Sequence, residues 1–211
     1  MSGPEVPPWL TQLVEASKTL TARDLSRLEP PDEGGRESAV LILFGEGPDG
    51  PDVLLIERSH DSRRHAGQAA FPGGAVEADD DGPAATALRE AAEETGLDPA
   101  GVEVLALLPT LWLPPSGFLV VPVLAWWREP STVAAADPAE VAAVARVPVA
   151  ALVDPANRFR LRHPSGHIGA AFDVGDLFVW GFTAGLLDRL LDVAGWSKPW
   201  NRADVRERGA R

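Results

Sequence analysis

Along the chain the apolar residues change period several times, and each change marks an element. Trp9, Leu10, Leu13, Val14 and Leu20 recur at helical intervals, which predicts a short amphipathic helix starting near Pro8. A Pro-, Asp- and Gly-rich stretch, Glu29 to Gly35, follows. Ser38 to Phe44 and Val53 to Ile56 then read as neighbouring strands, joined by the turn-rich Gly45-Glu46-Gly47-Pro48-Asp49-Gly50-Pro51. Glu77 to Pro83 is an acidic loop, and Ala84 to Thr95 reads as a helix with Pro83 near its first turn and Gly96 just past its end.

Strand patterns return at Val102 to Leu108 and Phe118 to Trp127, and Pro138 to Val144 predicts a helical turn or two. Phe159 to Leu161 and Ala171 to Val174 predict further strands. Phe178-Val179-Trp180 leads into a helix from Gly181 to Ala194, whose face of Leu186, Leu187, Leu190 and Leu191 should pack on the sheet. Strands interleaved with helices predict an α/β or α+β domain with layers on both faces of a mixed sheet. Residues 36–196 form the expected domain, 1–35 an N-terminal helix and linker packed on it, and 197–211 a flexible tail, because Val205 is the only sizeable apolar anchor from Arg202 to Arg211.

Composition narrows the function classes. A formal net charge of -12 argues against a nucleic-acid partner, since affinity for phosphate polymers comes from clustered Lys and Arg. An acidic chain that handles an anionic small molecule needs placed arginines or a divalent cation. There is no Cys, hence no disulfide framework and no thiolate zinc site. The start of the chain lacks a basic-then-apolar leader, and the longest apolar run, Phe118 to Trp127, is half the roughly 20 residues a membrane-spanning helix needs. A cytoplasmic protein is expected, with no membrane partner.

Candidate chemistry concentrates between Phe71-Pro72-Gly73-Gly74 and Arg89-Glu90-Ala91-Ala92-Glu93-Glu94-Thr95-Gly96-Leu97. At about 100° per residue, Glu90, Glu93 and Glu94 crowd onto one side of a single helical turn. They repel one another when empty, and a divalent cation would turn that repulsion into attraction. Without further context the same triplet is a solvated charged face. Here a double glycine precedes the helix and Gly96-Leu97 follows it.

Together these residues closely resemble the Nudix box, G-x5-E-x7-R-E-U-x-E-E-x-G-U, where U is aliphatic. Two departures stand out. Asp80 occupies the position of the first Glu, with one residue more than the pattern between it and Arg89, and Ala91 replaces a larger aliphatic residue. The resemblance implies a loop-helix-loop that binds Mg2+ or Mn2+, with Glu90, Glu93 and Glu94 as ligands or as the base that orients water. It further implies a backbone carbonyl ligand from Gly73, and a Nudix-type α/β/α sandwich around a mixed sheet. Hard oxygen donors suit such cations. Arg89 is read as a partner that fixes a carboxylate rotamer.

Upstream, Leu54-Leu55-Ile56-Glu57-Arg58-Ser59 followed by Arg63, Gly67 and Phe71-Pro72-Gly73-Gly74 resembles the extra motif of the coenzyme A diphosphatase branch, L-L-T-x-R-S-x3-R-x3-G-x3-F-P-G-G. Ile56 stands where that motif has Thr. Arg58 and Arg63 offer permanently charged forks for phosphate oxygens, and Gly67 permits a backbone approach. Ser59, Phe71 and Ser116 complete the expected substrate contacts, Ser116 through a similarity of Pro115-Ser116-Gly117-Phe118 to the same branch. His60 and His65 read as solvated loop residues. Glu140 is the downstream carboxylate that could serve as base, although an exposed helical Glu explains it as well.

The resemblance implies metal-dependent hydrolysis of coenzyme A, and of acyl derivatives, to 4'-phosphopantetheine and adenosine 3',5'-bisphosphate. Water aligned by Glu93 or a neighbouring carboxylate would attack one phosphorus, with no covalent enzyme intermediate. A Nudix diphosphatase for ADP-ribose or other nucleoside diphosphate derivatives is the enzymatic alternative, and a non-catalytic nucleotide sensor the alternative of another class. A homodimer is compatible with either.

Overall fold

A computed structural model describes residues 6–28, 31, 34–59, 67–114, 116–163 and 166–207. Helix α1 (Pro8–Ser17) begins with proline, as expected, and buries Leu10 and Leu13. The short α2 (Ala22–Leu25) is closed by Thr21 and Asp24, whose carboxylate accepts from the Thr21 backbone N–H at 2.8 Å. Strands β1 (Arg36–Gly47) and β2 (Gly50–Arg58) form an antiparallel hairpin. The sequence suggested a long turn there, yet pairing continues to Gly47↔Gly50. Gly50 adopts φ +96°, a conformation that lets two residues, Pro48 and Asp49, reverse the chain.

Strands β3 (Ala69–Ala70) and β4 (Gly73–Ala75) precede α3 (Gly82–Thr95). After it come β5 (Val102–Leu107), β6 (Leu111–Leu113), β7 (Phe118–Trp127), β8 (Val141–Pro148), α4 (Val149–Leu152), β9 (Arg158–Arg162), β10 (Ile168–Val174), β11 (Leu177–Val179), α5 (Gly181–Val193) and β12 (Val205–Glu207). The main sheet runs β3-β2-β1-β7-β5, with β4 also on β1, β6 on β7 and β8 on β2. Its β1–β7 pair is parallel and the others antiparallel, so the sheet is mixed. A smaller sheet runs β11-β10-β9-β12.

Alternation along β1 divides the core. Ala39, Leu41 and Leu43 meet Ala87, Ala91 and Leu97 of the α3 layer, whereas Ile42 and Phe44 meet α1 and α5 on the other face. Both faces are therefore covered, which is the α/β/α arrangement. Ala87 and Ala91 are fully buried, so small side chains let α3 lie close on the strands. That packing accounts for Ala91 at the aliphatic position. No helix among the described residues is long and apolar enough to cross a membrane.

Two expectations are corrected. The stretch Pro138 to Val144 is not helical: it enters β8, where Val144 pairs with Ile56 and Ala143 with Glu57. Pairing with β2 outweighs the helix propensity of its alanines. The stretch read as a flexible tail contributes β12, parallel to β9 with Val205 opposite Arg160. Its anchor is polar and aromatic, not aliphatic, since Arg158 reaches Ser197 at 2.8 Å and stacks on Trp200.

Candidate active site

Three chain segments converge beside α3. Helix α3 starts with Pro83 in its first turn and stops at Gly96, whose φ of +68° is the left-handed conformation that ends helices. It lies over β4, where a Cβ at Gly74 would push the end of the Glu90 side chain aside. Gly73 is the more firmly constrained of the two, by φ +156° and by the Ala39 carbonyl. Its N–H donates to Glu94 Oε2 at 3.0 Å. The double glycine is thus the floor on which two carboxylates rest.

Glu94 is buried, at 7% exposure. Burial pushes its carboxyl up to about 7; the Gly73 N–H and Arg58 oppose the shift, and Glu90 and Glu140 add to it. Glu90 is also raised by burial, opposed by Arg89 and reinforced by Glu93 and Glu77. Arg58, at the end of β2, brings Nη1 to 3.9 Å from Glu94 Oε1. Glu140 precedes β8, where its carbonyl accepts from Ser59 N–H at 2.9 Å. Its exposed carboxylate is therefore on the side of Glu94.

Arg89 organises the rest. Its guanidinium donates to both oxygens of Asp80, at 2.9 and 3.0 Å, and to the Ala75 carbonyl at 3.2 Å. It also contacts Glu90 at 3.2 Å and Glu93 at 3.0 Å. Asp80 accepts in addition from Thr86 Oγ1 and from Glu77 N–H, each at 2.9 Å. These bonds, the Arg89 bond first, hold its carboxyl well below the usual range. The extra loop residue therefore leaves Asp80 in place to grip Arg89. Sequence reasoning left this role open, because Asp79, Asp80 and Asp81 look alike in a row.

The expected site residues separate into groups. Glu90, Glu94, Gly73 and Arg58 come together. Glu93 is drawn outward by Arg89, with 59% of its side chain exposed. Among the described residues no three His, Cys, Asp or Glu side chains converge as a ready ion cage. Glu90 and Glu94 nevertheless fit a hard divalent cation, because two partly buried oxygen donors that repel each other lack a full counter-charge.

Among the expected substrate contacts, Phe71 is 3% exposed and packs in the core shared with α1 and α5. Ser59 is buried beside Arg58. Gly67 needs no ligand to explain it: its φ is +64° and its N–H donates to the Arg58 carbonyl at 3.0 Å. Ser116 donates within its own turn, to the Leu113 carbonyl at 3.3 Å. Arg63, His60 and His65 lie outside the described residues.

Comparison with known proteins agrees with this geometry. Residues 35–168 match the NUDIX domain model. A Nudix hydrolase, NudL of Escherichia coli, itself described as uncharacterized, is 39% identical over 160 residues, covering 74% of this chain and 81% of that protein. Among solved structures, the Nudix hydrolase RenU of M. Smegmatis superposes with TM-score 0.52 at 23% identity, covering 81% of this chain and 92% of RenU. A MutT/nudix family protein from Enterococcus faecalis gives TM-score 0.50 at 17% identity, covering 90% of this chain and 74% of its own. These two likenesses concern the fold. With the family model matched over more than half its length, the chain belongs to the Nudix family and is a Nudix-type hydrolase of a diphosphate substrate.

Proposed function

We propose that the substrate is coenzyme A or an acyl derivative, cleaved at its diphosphate to 4'-phosphopantetheine and adenosine 3',5'-bisphosphate. The observation that carries this reading is the motif from Leu54 to Gly74, whose Arg58 lies 3.9 Å from Glu94. Arg58 is positioned there by its strand. Its N–H donates to the Gln68 carbonyl and its carbonyl accepts from Gly67 N–H, both at 3.0 Å.

Glu90 and Glu94 would hold Mg2+ or Mn2+, with Gly73 offering its backbone. A cation held there supplies charge neutralisation for the diphosphate and acidifies a water. Arg58, with Arg63 on the following segment, binds phosphate oxygens through a planar fork. Glu93, exposed and tethered by Arg89, aligns the attacking water and takes its proton. Arg89 and Asp80 position these carboxylates without touching substrate.

The test is a turnover panel of coenzyme A, its 3'-dephospho form and ADP-ribose, each with Mg2+ and with Mn2+. Highest kcat/KM on coenzyme A supports the proposal. Preference for ADP-ribose overturns the substrate, and metal-independent release of product overturns the mechanism.

A further inference from the structure

The two arginines beside the carboxylates are held very differently. Arg89 is locked by Asp80, the Ala75 carbonyl and Glu93, with all of these bonds between 2.9 and 3.2 Å. Arg58 makes no hydrogen bond to Glu94. Its guanidinium stands off at 3.9 Å, and 35% of its side chain is exposed. Its backbone N–H and carbonyl are both held by Gly67 and Gln68, so any change of partner falls to the side chain.

Glu94 is the opposite case. It is buried, and Gly73 N–H donates to Oε2, whereas among the described residues no hydrogen bond is made to Oε1. That is the oxygen Arg58 faces. A guanidinium and a divalent cation beside one carboxylate oxygen repel each other, most strongly where water is scarce. We propose that Arg58 is an exchangeable counter-ion: it balances Glu94 in the metal-free protein and swings to the diphosphate when its place beside Oε1 is given up to a divalent cation.

Coupling follows from this exchange. Metal that displaces Arg58 frees a cation for the substrate, and substrate that captures Arg58 clears Oε1 for metal. The two must tighten each other by the same factor. The inference rests on the reading that this pair holds a cation and that a diphosphate docks beside it. It does not depend on coenzyme A being that diphosphate.

The experiment follows Mn2+ binding by electron paramagnetic resonance in the full chain, for wild type, Arg58→Ala and Arg58→Lys. Each is titrated with and without methylenediphosphonate, a diphosphate analogue that is not cleaved. Without the analogue, Arg58→Ala should bind Mn2+ roughly fivefold more tightly than wild type or better, while Arg58→Lys stays near wild type. The analogue should tighten Mn2+ in wild type and lose most of that effect in Arg58→Ala. Arg58→Gln serves the same comparison should the alanine variant not fold.

Unchanged or weaker Mn2+ binding in Arg58→Ala overturns the exchange, because it makes Arg58 a brace for Glu94. A lysine variant that behaves like alanine also overturns it, since charge would then not be the cause. If the exchange pattern appears in a protein that ignores coenzyme A, the substrate assignment fails and the exchange stands. Turnover of coenzyme A with no tightening in Arg58→Ala gives the reverse. Absence of Mn2+ binding in all variants overturns both.

Discussion

Among the described residues, a cluster of charge in the smaller sheet and one beside α3 are both buried, and they are finished to different degrees. In the smaller sheet, Arg158 is 2% exposed and forms a close ion pair with Asp188. It also donates to Ser197 at 2.8 Å and lies between the rings of Phe172 and Trp200, at 5.3 and 4.9 Å. Beside α3, Glu94 is 7% exposed, with one backbone N–H at 3.0 Å and an arginine at 3.9 Å. The first cluster pairs its charges within the chain, although Arg158 Nε is buried without a hydrogen-bond partner, and it ties residues 196–207 to the domain. The second carries an excess of carboxylates that repel one another. Burying like charges together costs stability, and under the proposed function a divalent cation would offset that cost.

The largest expected effect falls on the finished cluster. Arg158→Ala leaves Asp188 only the Arg202 guanidinium at 4.0 Å and should lower stability by about 3–5 kcal/mol in urea unfolding, with kcat per folded molecule unchanged. A loss below about 1 kcal/mol would erase the contrast, since that is the worth of a surface pair. At the unfinished cluster the pattern inverts. Glu94→Gln should cost about 10²-fold or more in metal-dependent turnover, as loss of a ligand exceeds loss of its supports. The same change should leave the metal-free protein at least as stable at pH 8.

Asp80→Asn is the intermediate case. It weakens the clamp on Arg89 while leaving every proposed ligand in place, and should reduce metal affinity by about tenfold with little change in KM. Equal loss in kcat and affinity for Asp80→Asn and Glu94→Gln would show that Asp80 does more than position.

A further effect concerns pH. The folded-state carboxyl of Glu94 sits at about 7, against 4.5 ordinarily, so the folded protein binds this proton more tightly than the unfolded chain. As pH rises from 4.5 towards 7 the unfolded chain releases its proton first, and stability should fall across that window. The loss is on the order of 2 kcal/mol in metal-free protein. Glu94→Gln or saturating Mn2+ should flatten it, as followed by urea midpoints at stepped pH.

Much of this contrast was legible in the sequence on one side only. Pro83 and Gly96 bracket α3 closely, and the spacing of Glu90 and Glu94 puts them one turn apart on a face. The glycine pair was visible too, although its reason, the closeness of β4 to Glu90, appears only in three dimensions. The burial of Phe71 was not legible, because a motif position reads alike whether the residue touches substrate or shapes the core. The alanines of β8 misled because local propensity favours a helix where pairing with β2 decides. The Arg158 cluster was invisible, since Arg158, Asp188, Ser197 and Trp200 meet only when the C-terminal segment folds back over α5.

Crystals grown or soaked with Mn2+ and recorded at the manganese absorption edge test the unfinished site most directly. Anomalous density between the Glu90 and Glu94 carboxylates, beside Gly73 and Gly74, is the predicted result. Density elsewhere, or none in crystals of protein that still cleaves its substrate in that metal, would contradict it.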